Sequence, residues 1–297
     1  MTYTKITGLI PILQTPFDSK SRIDTDSLRK IVDFNIENGV DGLGIALASE
    51  LQKLNEPERN LVLKTVVDQT NGRVPVVMNA GANGNDLAIY YCKQAQELGA
   101  DAVMVTPPAG GGASLSPEAA RQYFRDVENA VDISVALQDV QFAPIAPDLV
   151  AEMAAELPGV VACKMETPPT PGRIAATVDA TKGTISVLGG GGATFLMEEL
   201  ARGSEGTMPF CSTPVEFTEI FKLYRAGKIE EAITLFNTRI APIGHLIAQA
   251  PELAIGIHKE ILKKRGLIDS THVRAPSILP DQHTKREIEA ILERVIV

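Results

Sequence analysis

The chain has 297 residues, 44% hydrophobic and 22% charged, a balance that supports a folded core and excludes an intrinsically disordered chain. Its formal net charge of -9 offers no attraction to nucleic acid or to an anionic membrane, and serves mainly solubility. Cys92, Cys163 and Cys211 are isolated, which gives neither a disulfide framework nor a zinc spacing and fits a reducing cytoplasm; the start lacks a signal-like segment, and no run of about 18 apolar residues spans a bilayer.

Short apolar runs then alternate with longer stretches of helical period, the pattern of parallel strands joined by crossover helices. Strands are predicted at 9–13, 42–47, 75–79, 102–105, 134–138, 160–164, 185–188 and 205–209. The first helix opens on Asp26 as an acidic cap before an apolar stripe, and the fourth on Ser116, with Pro117 at the first helical position. Gly39, Gly99 and Gly203 each follow a helical pattern and precede a strand, as left-handed C-terminal caps do. Beyond about residue 216 only helical patterns remain, at 217–226, 229–248, 251–264 and 284–295. The sum is an α/β fold: a (β/α)8 TIM barrel over residues 1–226 with a C-terminal helical region, 227–297, packed on it.

In such a barrel the reacting groups come from the C-terminal ends of strands. The sixth strand runs Val160-Val161-Ala162-Cys163-Lys164 and continues into Met165-Glu166. A lysine there is costly unless its charge is paired or its pKa falls, and strand alternation puts Lys164 and Glu166 on one side, Cys163 and Met165 on the other. An amine beside a carboxylate suits imine chemistry with a ketone, the protonated imine acting as electron sink while Glu166 moves protons. The same two residues would equally form an ordinary ion pair at the rim.

Gly189 to Gly192, after the seventh strand, offer bare backbone N–H groups to a hydroxyl or carboxylate, or form a tight turn; without a nearby Lys or Arg, phosphate is not assigned. His245, His258, His272 and His283 all fall in the C-terminal helical region, so neither a histidine base nor a metal cluster is expected. Glu198 and Glu199 are read as solvent-facing helix residues.

Several motifs, in order, resemble the dihydrodipicolinate synthase and N-acetylneuraminate lyase family along nearly the whole chain. Gly8-Leu-Ile-Pro-Ile-Leu-Gln-Thr-Pro-Phe17 resembles its first strand, residues 35–50 with Leu54-Asn-Glu-Pro-Glu-Arg59 its second strand, carboxylate loop and next helix, and Val105-Thr-Pro-Pro108 its fourth-strand end. Lys164 falls where the family has its Schiff-base lysine, and Gly206-Thr-Met-Pro-Phe210 falls on its eighth strand. There are departures. The fifth strand reads Ala136-Leu-Gln138-Asp139-Val140 where most members carry a tyrosine proton relay, Ala109 replaces a second tyrosine, and Ala143 aligns with the synthase arginine. The usual Gly-Thr-Thr-Gly-Glu loop reads Ala46-Leu-Ala-Ser49-Glu50, and the whole combination is similar to the L-2-keto-3-deoxyarabonate dehydratase branch.

The resemblance implies a lyase with Lys164 as nucleophile, Glu166 as acid and base, and Gln138 orienting water or substrate. Its reaction would be dehydration of a 2-keto-3-deoxy sugar acid; the alternatives are a pyruvate-dependent or retro-aldolase on a related 2-oxo sugar acid, and a non-catalytic 2-oxo-acid-binding protein. Ser49, Glu50, Ala48, Pro108, Asp139, Gly190 and Met208 are placed around the substrate, although Gln138 and Asp139 would also serve as a polar strand end bonding loop backbone. No dissociable cofactor and no metal are implied. The partner is a small 2-oxo acid with a pyruvate-like end, and the protein is expected to be a cytoplasmic homo-oligomer, often a tetramer.

Overall fold

All eight predicted apolar runs form strands in a computed structural model of the protein, which describes residues 3–109 and 115–296. The strands are β1 (Gly8–Leu9), β2 (Leu43–Ile45), β3 (Val76–Asn79), β4 (Ala102–Val105), β5 (Ser134–Asp139), β6 (Val160–Met165), β7 (Ser186–Gly189) and β8 (Gly206–Thr207). They pair in parallel in the order β1-β8-β7-β6-β5-β4-β3-β2. Bridges from Ile12 to both Gly44 and Phe210 close the sheet on itself, so the fold is a (β/α)8 TIM barrel. β1 and β8 are shorter than their apolar runs because Pro11 and Pro209 have no N–H to donate to a ladder.

Alternation along the strands divides the apolar residues into two cores. Ile10, Val77, Met104, Ala136, Ala162, Leu188 and Met208 fill the inside of the barrel. Their neighbours, among them Ile45, Met78, Val103, Leu137, Cys163 and Val187, point outward into a larger core beneath the helices. Each inner position is therefore one step below a residue that opens on the barrel mouth, which is how a strand's sequence sets its contribution to the site.

The crossover helices are α1 (Thr25–Glu37), α2 (Glu56–Thr70), α3 (Asn85–Glu97), α4 (Pro117–Glu128), α5 (Pro147–Glu156), α6 (Thr170–Thr181), α7 (Leu196–Leu200) and α8 (Pro214–Arg225). Ser116 caps α4 as expected, but α1 is capped by Asp24, whose carboxylate accepts from Ser27 N–H; Asp26 lies in the first turn, where it favours the helix dipole without capping. Gly39, Gly99 and Gly203 take φ values of 80°, 89° and 89°, the left-handed backbone predicted after their helices.

The run predicted as one helix at 229–248 is broken. α9 (Ile229–Leu235) passes through a π turn at Phe236–Ile240 into α10 (Ala241–Gln249), where Pro242 withholds the N–H that an unbroken ladder needs. α11 (Ala254–Lys264) and α12 (Gln282–Val295) follow. This region has a small core of its own, centred on Ile243, Leu253, Ile257, Ile288 and Leu292, yet Ala232, Phe236 and Ile240 belong to the outer barrel core. No single helix among the described residues is long and apolar enough to cross a membrane.

The β1–β8 closure leaves no room for a side chain, since a Cβ on Gly206 would lie 2.0 Å from the Gly8 carbonyl oxygen. Gly206→Ala is expected to cost about 1–3 kcal/mol of stability, read as a lower urea midpoint at unchanged slope. An unchanged midpoint would show that the closure yields freely.

Candidate active site

Lys164 and Gln138 are register partners on β6 and β5, standing side by side above Ala162 and Ala136. Lys164 is 4% exposed, and its Nζ lies 3.0 Å from Glu166 Oε2, so alternation has brought the two side chains together. Gln138 Nε2 donates to the same oxygen at 2.8 Å, and Gly191 N–H donates to Oε1 at 2.8 Å. The Gln138 amide is held in turn, its Oε1 accepting from Asn79 Nδ2 at 2.8 Å and Thr106 Oγ1 at 3.0 Å. Burial pushes the Glu166 carboxyl upward, but the Lys164 charge and the donors from Gln138 and Gly191 outweigh it, and its pKa ends below the ordinary value. Glu166 is thus an ionised carboxylate at neutral pH, in contact with the Lys164 amine.

These groups form the floor of a cavity of about 350 Å³. Ala48 and Met208 line it, as do Gly191 and Gly192. Gly190 sits against the reacting pair: a Cβ there would lie 2.6 Å from both Lys164 Cε and Glu166 Oε1. The turn Leu47–Ser49 puts Leu47 and Ala48 on the wall, and neither N–H group has a backbone partner among the described residues.

Five residues expected at the substrate lie off the cavity wall, Gly190, which packs on the Lys164–Glu166 pair, among them. The Ser49 hydroxyl donates to the Leu13 carbonyl and accepts from Ala46 N–H at 3.0 Å, so it holds the turn that presents Ala48. Glu50 faces away and pairs with buried Lys259 at 2.6 Å and with Lys53 at 3.1 Å. Asp139 is the outward neighbour of Gln138, and its carboxylate receives Ile145 N–H, Thr167 and Arg173. Pro108 is buried beyond the end of β4, where strand alternation no longer aims it inward.

Two readings are corrected. His258 on α11 does reach the cavity: its ring stacks on Phe210 with centroids 3.9 Å apart, and its Nδ1 lies 2.7 Å from Ser212 Oγ. Burial drives its pKa down to about 3, so the ring is neutral. Glu199 does not face solvent; it is 1% exposed on α7, with Oε1 accepting from Thr170 Oγ1 at 2.5 Å and Oε2 unpartnered.

This geometry has counterparts among known proteins. The description "Dihydrodipicolinate synthetase family" matches residues 5–295. The chain belongs to that family. It is similar to the L-2-keto-3-deoxyarabonate dehydratase of Azospirillum brasilense, 28% identical over 97% of this chain and 94% of that one. It is also similar to the 4-hydroxy-tetrahydrodipicolinate synthase of Bacillus subtilis, 30% identical over 89% of this chain and 90% of the relative. A solved dihydrodipicolinate synthase of Rhodopseudomonas palustris superimposes with a TM-score of 0.90 at 25% identity, covering 99% and 100% of the two chains. The chain is thus a Schiff-base lyase of the dihydrodipicolinate synthetase family.

Asn79 and Thr106 were missed by sequence reasoning although both stand at strand ends, where any polar residue is a candidate. His258 had no such signal, because its approach depends on how α11 lies across the barrel.

Burial raises the Glu199 carboxyl to about 7, against only the Thr170 hydrogen bond. Its neutral form is therefore favoured by folding, and that contribution is present below the ordinary glutamate value and lost as pH rises through about 7. Thermal stability is expected to fall between about pH 4.5 and pH 7 and to level off above it, by on the order of 3 kcal/mol at most, and Glu199→Gln should flatten this decline. Parallel pH profiles of the two proteins would contradict it.

Proposed function

We propose that the protein is a Schiff-base hydro-lyase acting on a 2-keto-3-deoxy acid with a hydroxyl at C4, the class that includes the 2-keto-3-deoxy sugar acids. The observation that carries this reading is the triad of Lys164, Glu166 and Gln138, with Glu166 ionised and 3.0 Å from the amine. Glu166 accepts the ammonium proton, and the free amine attacks the C2 ketone; Glu166 then returns that proton to the hydroxyl of the adduct, which leaves as water and gives a protonated imine beside an ionised Glu166. The imine draws electrons from C3, whose proton goes to the ionised Glu166. The same carboxyl then protonates the C4 hydroxyl as it leaves, and a water molecule hydrolyses the unsaturated imine to free Lys164. The balance is one water lost from the substrate.

Dehydration is favoured over synthase chemistry by what the cavity lacks. None of the five tyrosines lines it. A reaction in which one carboxyl removes a proton and returns it to a leaving hydroxyl needs no second relay, and Gln138, held by Asn79 and Thr106, can only orient. The substrate carboxylate is assigned to the Leu47 and Ala48 N–H groups, with Ser49 supporting them from behind.

Trapping with pyruvate and cyanoborohydride, followed by mass spectrometry, should place one adduct on Lys164 and none in Lys164→Ala. Glu166→Gln is expected to form the same adduct more slowly, since the ammonium proton must then go to water, and to lose about 10²–10⁴-fold in turnover. Full turnover in that variant would remove Glu166 from the chemistry, and release of pyruvate with an aldehyde from a 2-keto-3-deoxy acid would identify retro-aldol cleavage instead.

A further inference from the structure

The cavity has two unlike halves. The charged side chains on its wall, among the described residues, are Lys164 and Glu166, and both stand on the floor. The outer wall comes from α8, the π turn, α10, the 3-10 turn Pro251–Leu253 and the start of α11, and is built by Phe217, Ile240, Ile243, Ile247, Pro251 and Ile255. Ile240 sits at the last position of the π turn, and Ile247 and Ile255 remain partly exposed beside buried neighbours. The polar side chains there are few: Thr194 donates to the Gly191 carbonyl at 3.1 Å, His258 shares Nδ1 with Ser212 and lays its ring face on Phe210, and the Thr213 hydroxyl makes no cap hydrogen bond to α8.

We infer that this outer half binds an apolar substituent on the substrate, so that the 2-oxo acid carries an alkyl or aryl chain beyond C4 rather than a polyol, a second carboxylate or a phosphate. The inference rests on the Schiff-base reading of Lys164 and specifies its substrate. A hydroxylated chain entering this half would exchange water for isoleucine at most of its hydroxyls, with Thr213 able to partner one of them, and a second anion would meet no cation among the described residues. A methylene chain instead gains by leaving water, and does so continuously from the imine carbon because floor and outer wall belong to one cavity.

The test is cyanoborohydride trapping on the full chain across pyruvate, 2-oxobutanoate, 2-oxopentanoate and 2-oxohexanoate, with 2-keto-3-deoxygluconate as the polyol comparison. The concentration giving half-maximal Lys164 adduct is expected to fall by about threefold to fourfold per methylene, with the polyol weaker than 2-oxohexanoate. In Ile247→Asn, a partly exposed position, the dependence should shrink below twofold per methylene. A flat or rising series in the wild-type protein, or a polyol that outcompetes 2-oxohexanoate, overturns the apolar chain while leaving the imine intact. Absence of any adduct at Lys164, pyruvate included, overturns the Schiff-base reading itself and this inference with it.

Discussion

The site depends on keeping one amine and one carboxylate in contact at the mouth of a barrel whose interior is otherwise apolar. Each charge alone would be expensive there, and their mutual attraction offsets the loss of water only if the remaining hydrogen-bonding positions are filled. Glu166 meets that condition with three donors, Lys164, Gln138 and Gly191 N–H. The arrangement then forces other choices. Gln138 must present its NH2 rather than its oxygen, which Asn79 and Thr106 ensure, and glycine at 190 leaves the pair its room, because a Cβ there would lie 2.6 Å from Lys164 Cε and Glu166 Oε1 and would displace them.

That constraint explains why the floor was readable in the sequence. Strand alternation is a two-residue rule, so Lys164 with Glu166, and Gln138 with Ala136, follow from the position of β6 and β5 alone. The same rule, applied one residue further, separates Gln138 from Asp139. The latter looks outward to Arg173 at 2.9 Å and joins the β5, β6 and α6 ends into one rigid rim. The family resemblance grouped the two residues, and the pleat divides them.

What was not readable depends on packing between elements far apart in the chain. Ser49 and Glu50 lie in the expected loop, but a 3-10 turn with Glu50 in the left-handed conformation, φ 59°, commits both side chains to partners off the cavity wall, while Leu47 and Ala48 line it. Glu199 looks like a surface glutamate from its neighbour Glu198, yet α7 is only five residues long and lays it against Gly189. His258 reaches the site only because α11 crosses the barrel mouth. A periodic pattern shows which face of a helix is apolar, not which part of the barrel that face will cover.

The C-terminal region is held over the mouth by charge as well as by packing. Lys259, fully buried on α11, binds Glu50 at 2.6 Å and the His272 carbonyl at 2.7 Å, while Arg274 pairs with Glu58 at 2.6 Å and lies over the Phe17 ring. Burial pulls the Lys259 pKa down, with Glu50 opposing it, so the pair holds its charges by mutual contact rather than by solvation. A buried pair of this kind contributes little net stability, but losing one partner strands the other at a cost of about 3–5 kcal/mol. Its effect is geometric. Lys259 follows His258 directly, and Glu50 follows the turn that presents Ala48, so one ion pair fixes the distance between the backbone donors and the C-terminal wall. The two sides of the cavity are thereby set relative to each other, and the depth available to a substrate chain follows from that spacing.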